Sequence, residues 1–241
     1  MKLSDFKALT FDCYGTLIDW ETGIWGALQP LLQANDHKVS RDAALAVFGK
    51  LEPEQEHETP GLLYRELLTK VHAKIARAWN IETTPTLDLA FGNSVPDWPA
   101  FPDTVEALAY LKRHYKLVIL SNVDRQSFAG ANKRLGVTFD AICTAEDVGS
   151  YKPDPRNFEY LLREAAKLGL GKADILHTAQ SLYHDHVPAE AMGIARCWIN
   201  RRGDAGTGSG ANSPVAHMPK LDFQFPTLGA MAAAHRAETG A

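Results

Sequence analysis

The chain opens on a short apolar run, Ala8-Leu9-Thr10-Phe11, that stops abruptly at an acid, Asp12, before a turn through Gly15. Such a run reads as a buried strand delivering Asp12 to its C-terminal tip. From Trp20 the period becomes helical: Trp20, Ile24, Leu28, Leu31 and Leu32 recur at three- and four-residue intervals. Asn35-Asp36-His37 breaks that pattern. Ser40 is placed to N-cap a second helix carrying Ala44, Leu45, Val47 and Phe48. Gly61 to Trp79 predicts a longer amphipathic helix, and Thr84-Pro85 starts a short one reaching about Asn93. No strand pattern occurs between about Glu21 and Val95. Pro96, Pro99 and Pro102 then punctuate the chain like a hinge.

Beyond the hinge, strand and helix patterns alternate. Asp103 to Glu106 restarts a helix. Strands are predicted at Lys116–Leu120, Phe139–Cys143, Asp174–Ala179 and Ala195–Ile199, with helices to Leu135, over Arg156–Leu168 and over Val187–Met192 between them. This alternation predicts an α/β fold, a doubly wound parallel sheet covered on both faces. The all-helical stretch predicts an inserted segment, giving a core of residues 1–18 and 97–241 around a cap of residues 19–96. Arg202 to Pro219, rich in Gly, Ser, Asn and Pro, reads as a surface loop. A last helix is expected near Leu228–Ala234.

Composition narrows the possible functions. A chain of 241 residues, 45% hydrophobic, can bury a sizeable core. A net charge of −4 lacks the basic footprint of a nucleic-acid binder. The basic pairs Lys112-Arg113, Lys133-Arg134 and Arg201-Arg202 read as solvated faces. Three separated cysteines, Cys13, Cys143 and Cys197, fit neither a disulfide framework nor a zinc site. No segment resembles a signal peptide or a bilayer span, so a soluble cytoplasmic protein with no membrane partner is expected.

Four strand or loop ends carry polar groups that a core does not need: Asp12, Ser121-Asn122, Lys152 and Asp185. In a doubly wound sheet these ends converge on one crevice. A carboxylate there can act as a nucleophile. Lys152 nearby would keep Asp12 ionised and depress its pKa. Ser121 and Asn122 could bond an anionic substrate, and Asp185 could orient or deprotonate water. Taken singly, each also reads as a helix cap or a solvated loop residue.

The segments Asp12-Cys13-Tyr14-Gly15-Thr16-Leu17, Leu120-Ser121-Asn122 and Tyr151-Lys152-Pro153-Asp154-Pro155, with Asp185 eight residues before Gly193, resemble the haloacid dehalogenase superfamily. The resemblance spans almost the whole chain and implies a Rossmann-like core with a helical cap. Phosphatases of that superfamily carry a second Asp where this chain has Tyr14, and usually a further metal-facing acid where it has Ser181. Mg²⁺ prefers carboxylates and water, so no metal and no cofactor are expected. The Asp-x-Tyr-Gly-Thr pattern is similar to that of the L-2-haloacid dehalogenases.

That likeness implies hydrolytic dehalogenation of small 2-haloacids through an ester on Asp12. Thr16 would support Asp12, Ser121 and Lys152 would hold the substrate carboxylate, Asn122 would contact the halide, and Asp185 with Lys152 would serve the water step. It also implies a possible homodimer. Tyr14 and Gln180 join the substrate-facing set. The family's halide-cradling cap arginine has candidates in Arg41 and Arg65. Trp20, Trp25, Phe48 and Tyr64 either wall the site or simply fill the core.

Three positions depart from the family pattern: Phe158 replaces a Tyr, and Gln180 and Leu182 replace a Ser and an Asn. Two imidazoles flank Asp185. His184 could position water, and His186 reads as a partly exposed histidine at a helix start. The alternatives are a Mg²⁺-dependent phosphatase of the same superfamily and a non-catalytic relative.

Overall fold

A computed structural model describes residues 1–203 and 215–240. Six parallel strands form one sheet in the order β3-β2-β1-β4-β5-β6. The strand β1 (Ala8–Phe11) lies at the centre. The chain then makes the four helices of an insertion: α1 (Trp20–Ala34), α2 (Arg41–Glu58), α3 (Tyr64–Ala78) and α4 (Pro85–Gly92). Next come α5 (Thr104–Leu111), β2 (Lys116–Ser121), α6 (Arg125–Leu135), β3 (Ala141–Thr144), α7 (Ala145–Val148) and α8 (Pro155–Lys167). The remainder is β4 (Ile175–Ala179), a π-helical turn (Leu182–His186), α9 (Val187–Ala191), β5 (Ala195–Ile199), β6 (Phe223–Phe225) and α10 (Leu228–Thr239).

The expected α/β, doubly wound parallel sheet with an all-helical insertion is the fold observed. Its central strands are buried on both faces, which is why they read as unbroken apolar runs. Ala8, Val118 and Leu120 face α8 and α9 through Phe158, Leu161 and Ala189. Leu9, Phe11, Leu117 and Ile119 face the opposite layer, whose core continues without a break into Ile24, Leu28, Phe48, Leu67 and Val71 of the insertion. All three cysteines are buried and unpaired. No helix among the described residues is long and apolar enough to cross a membrane.

Several boundaries differ from the sequence reading. The second helix runs on to Glu58 with Pro53 inside it, and the third starts at Tyr64, not Gly61. β3 starts at Ala141 because Asp140 turns back to accept from the Leu117 amide at 2.8 Å. The edge strand β6 was not expected. It is three residues long, and its hydrogen bonds to β5 form only after a long excursion of the chain. Of the loop expected between Arg202 and Pro219, residues 204–214 lie outside the described residues.

Arg201 corrects the reading of the basic pairs as solvated. Its guanidinium is buried over the Phe101 ring, 3.8 Å from the centroid. It donates to the Thr16 carbonyl at 2.9 Å and to Asp103 at 2.8 Å. An arginine at the end of β5 thus ties down the loop that follows β1.

The insertion rejoins the core where α6 packs on the Pro96 turn. A methyl added at Gly130 would fall 2.4 Å from Pro96 Cα and 2.6 Å from its carbonyl oxygen. Gly130→Ala is therefore expected to cost about 1–3 kcal/mol of stability, read as a lowered thermal midpoint. Gly26→Ala, whose methyl meets nothing within 4 Å, is expected to raise stability by about 0.5–1 kcal/mol, the usual helix gain of Ala over Gly.

Candidate active site

The strand order reverses between β1 and β4, so their C-terminal ends flank a crevice, the place where open α/β sheets bind ligands. Asp12 follows β1 directly. The chain then turns through Gly15, whose φ of +95° suits glycine, and a Cβ there would press on the Trp20 indole. This tight turn brings Thr16 back under Asp12. The Thr16 hydroxyl donates to Asp12 Oδ2 at 2.8 Å and accepts from the Gln180 amide at 2.9 Å, so its proton is aimed at the carboxylate.

Lys152 enters from the loop between α7 and α8. Its side chain is among the largest fully buried ones in the protein. Nζ donates to Asp12 Oδ1 at 2.9 Å, to Asp185 Oδ1 at 2.7 Å and to the Leu120 carbonyl at 3.0 Å. An ammonium has three donors, and all three are used. Asn122 holds the backbone of this lysine from both sides: its Oδ1 accepts from the Lys152 amide at 2.6 Å and its Nδ2 donates to the Lys152 carbonyl at 3.1 Å. Nδ2 also donates to Glu56 at 3.3 Å. While these bonds stand, Asn122 has no N–H left for a halide and Lys152 none for a substrate carboxylate. Both roles implied by the resemblance would require a bond to give way.

Asp185 sits in the π-helical turn and is supported from behind by β4. His177 Nε2 lies 3.0 Å from Asp185 Oδ1, and His177 Nδ1 lies 2.9 Å from the Thr10 hydroxyl. Thr10 and His177 are register partners in the β1–β4 ladder. With the ring proton on Nε2, His177 donates to the carboxylate and accepts from Thr10. Phe158 packs edge-on against the same imidazole, at 5.1 Å between centroids. Asp185 Oδ2 is buried and has no partner among the described residues.

Burial would lower the Lys152 pKa, but the two carboxylates reverse this and raise it, so the lysine is charged at all ordinary pH. Burial would raise Asp185, yet Lys152 and His177 hold it well below the usual carboxylate range. Asp12 differs from the expectation. Burial raises its pKa, with Asp185 adding to the rise and Lys152 and Thr16 only opposing it. The lysine divides its attraction between two acids, and the deeper one, with His177 behind it, holds its charge more firmly.

A cavity opens above this triad. Its lining includes Tyr14, Trp20, Phe48, Tyr64, Trp98, Ser121, Asn122, Gln180, Ser181 and His184, together with Asp12, Lys152 and Asp185. Ser121 Oγ is buried and unpartnered among the described residues. The Tyr14 hydroxyl reaches back to the Ser127 carbonyl at 3.4 Å, and its ring meets Trp98 edge-on. His184 lies 3.2 Å through Nδ1 from the Ser181 hydroxyl, and burial lowers its pKa to about 4, so it is neutral near pH 7.

Other candidates fall elsewhere. Arg41 is exposed and bonds the Thr22 hydroxyl at 3.1 Å. It lies on the same helical stripe as Phe48, but seven residues nearer the outer end of α2, about 10 Å along the axis. Arg65 is spent on Asp124, at 3.0 Å. Trp25 does not line this cavity. His186 is fully buried, not partly exposed; its Nε2 lies 2.9 Å from the Ala179 carbonyl, and its pKa is lowered to about 4 by burial.

Sequence reading missed Thr10, His177, Trp98, Glu52 and Glu56. Two polar residues inside otherwise apolar strands, Thr10 and His177, were a usable signal. Glu52 and Glu56 were not, because i,i+4 acids on a helix ordinarily face solvent. Glu52 lines the cavity and Glu56 is buried behind it.

Comparison with known proteins agrees with this architecture. The (S)-2-haloacid dehalogenase 4A of Burkholderia cepacia is 25% identical over 211 residues, covering 84% of this chain and 86% of its own. A solved defluorinating L-2-haloacid dehalogenase superposes with a TM-score of 0.79 at 22% identity, over 98% of each chain. The L-2-haloacid dehalogenase of Xanthobacter autotrophicus, solved with chloropropionic acid covalently bound, gives a TM-score of 0.79 at 19% identity, covering 96% and 98% of the two chains. A sequence model of the haloacid dehalogenase-like hydrolases matches residues 6–177. A strand-tip aspartate, a buried lysine and a second acid on one crevice thus stand in a chain that belongs to the haloacid dehalogenase-like hydrolase family.

Proposed function

We propose that this hydrolase removes halide from small 2-haloacids through an ester on Asp12, without a metal. The observation carrying this reading is the cation beside Asp12. It is the Lys152 ammonium, bonded to both acids, while the position two residues on holds Tyr14 as an aromatic wall and not a carboxyl. A halide leaves without a proton, so displacement at carbon needs no acid at Tyr14. A phosphate ester would need one. The donor set suits Mg²⁺ poorly, since both Oδ1 atoms are tied to Lys152 and neither Tyr14 nor Ser181 adds a carboxylate. The covalent adduct of the Xanthobacter autotrophicus enzyme supports the same chemistry here.

In the first step a carboxylate oxygen of Asp12 attacks the carbon bearing the halogen. The carbon–halogen bond breaks with its electron pair, the carbon inverts, and an Asp12 ester forms. Water then attacks the Asp12 carbonyl carbon, giving up a proton to the Asp185 side of the site. The acyl C–O bond breaks, that proton passes to the departing oxygen so that the 2-hydroxy acid leaves, and the second water proton goes to solvent as the Asp12 carboxylate is restored. Lys152 neutralises charge on Asp12 in both steps, Thr16 orients the carboxyl, and Ser121 offers its unused hydroxyl to the substrate. The catalytic set is Asp12, Thr16, Lys152 and Asp185. Residues 19–96 act as a cap over a core of residues 1–18 and 97–241. Phe48 and Tyr64 of this cap exclude water from the cavity.

Halide release from chloroacetate or 2-chloropropionate is expected to continue unchanged in EDTA, with no Mg²⁺-stimulated phosphate release from p-nitrophenyl phosphate. The reverse pattern would favour the phosphatase reading. Asp12→Asn is expected to lower turnover by about 10³-fold or more. Single-turnover reaction in ¹⁸O-water should leave label in the Asp12 peptide; unlabelled Asp12 would mean direct attack by water on substrate.

Asp12 must be ionised to attack, and its pKa is raised. Activity should therefore fall on acidification at a pH above the ordinary aspartate value of 3.8. Thr16→Val removes a hydrogen bond that favours the charged form. It is expected to move this acid limb to higher pH and to lower kcat/KM about 10–100-fold at neutral pH.

A further inference from the structure

The cavity is short of positive charge for an enzyme that binds a carboxylate. Asp12, Asp185 and Lys152 already sum to −1, and all three Lys152 donors are committed. No arginine lines the cavity among the described residues. Glu52 of α2 lines it instead. The Tyr64 hydroxyl donates to Glu52 Oε1 at 3.0 Å and fixes the carboxyl against the α3 side. Glu56, one turn on, accepts from Asn122 at 3.3 Å. Ser121, 1% exposed, has its Oγ buried without a partner among the described residues, and it lines the same cavity as Asn122.

We propose that Glu52 is a specificity-determining residue which, as a neutral acid, donates its Oε2 proton to the carboxylate of the bound substrate, with the Ser121 hydroxyl as the second donor. The inference rests on the dehalogenase reading for its substrate class. Chemically, a fixed neutral O–H replaces a cation as the anion's partner on the helical wall. It adds no charge to a site that must later expel a halide.

Burial raises the Glu52 pKa to about 7, with only Tyr64 pulling it down, so a proton is available in the physiological range. Glu56 is raised well above its ordinary value, chiefly by burial and then by Glu52 itself, against Lys152 and Asn122. The other titratable groups facing the pair do not change charge near pH 7. Tyr64 and Tyr151 are pushed upward by burial and by these acids. Lys152 stays charged, and His184 is neutral above about pH 4. Substrate binding should therefore weaken as pH rises through about 7, when Glu52 becomes an anion facing an anion.

The test is a pH series of kcat/KM for chloroacetate, and of chloroacetate binding followed by tryptophan fluorescence in an Asp12→Asn background. Wild type should lose about tenfold in kcat/KM per pH unit above pH 7, through KM. Glu52→Gln keeps an N–H donor of the same shape that cannot ionise, and it should flatten this alkaline limb. Glu52→Ala should raise KM at every pH, and thermal midpoints check that both variants fold. An alkaline limb unchanged in Glu52→Gln would overturn the proposal, as would chloroacetate affinity equal at pH 6 and pH 8. Binding that weakens from pH 6 to pH 8, without halide release, would uphold the role of Glu52 and sink the dehalogenase reading alone.

Discussion

One buried ammonium organises the site. Lys152 bonds two carboxylates and a strand-end carbonyl, and each partner belongs to a different segment: β1, β2 and the turn after β4. A buried lysine without partners would lose its proton or destabilise the fold. A buried pair of acids without the lysine would hold a proton between them. The three groups stabilise one another's charges, so each is costly to bury without the other two. This is why the surroundings are so heavily hydrogen-bonded: Asn122 on the lysine backbone, Thr16 on Asp12, and His177 with Thr10 behind Asp185.

The two acids are not equivalent, and the difference comes from what stands behind each. Asp185 has a ring N–H and the lysine, and it holds its charge. Asp12 faces the cavity with a hydroxyl and a shared lysine, and burial lifts its pKa. A carboxylate that is weakly stabilised as an anion is a better nucleophile than one fully satisfied by donors. The same low-dielectric surroundings that lift the Asp12 pKa make excess negative charge costly. That cost falls on the helical wall as well, where burial raises the pKa of both Glu52 and Glu56.

The insertion contributes more than a lid. Its apolar core is continuous with one face of the sheet, and Arg65 caps its contact through Asp124, which also N-caps α6. Close packing at Gly130 against Pro96 and the Arg201 clamp on Thr16 set the two ends of the inserted segment. The helical wall of the cavity is therefore carried by the same packing that places Asp12.

The order of elements was legible in the chain because period and punctuation are local properties. Apolar runs ending at Asp12 and Ser121, the strand-free stretch before Pro96, and the later strand–helix alternation lead to a parallel sheet with an inserted helical segment. Asp12, Ser121, Lys152 and Asp185 could be picked out as polar groups at strand or loop ends, where a core has no use for them, and Thr16 through the resemblance of its motif. Distance along the chain carries no information about which donor meets which acceptor, and there the tertiary structure decided. It spent the Asn122 amide on the lysine backbone and left Arg41 two turns from the cavity. It buried Arg201 and His186, and it turned Glu52 and Glu56 inward from a helix whose sequence suggests solvent. These outcomes depend on which groups the fold brings together from segments as far apart as Thr16 and Arg201, a matter that no local pattern records.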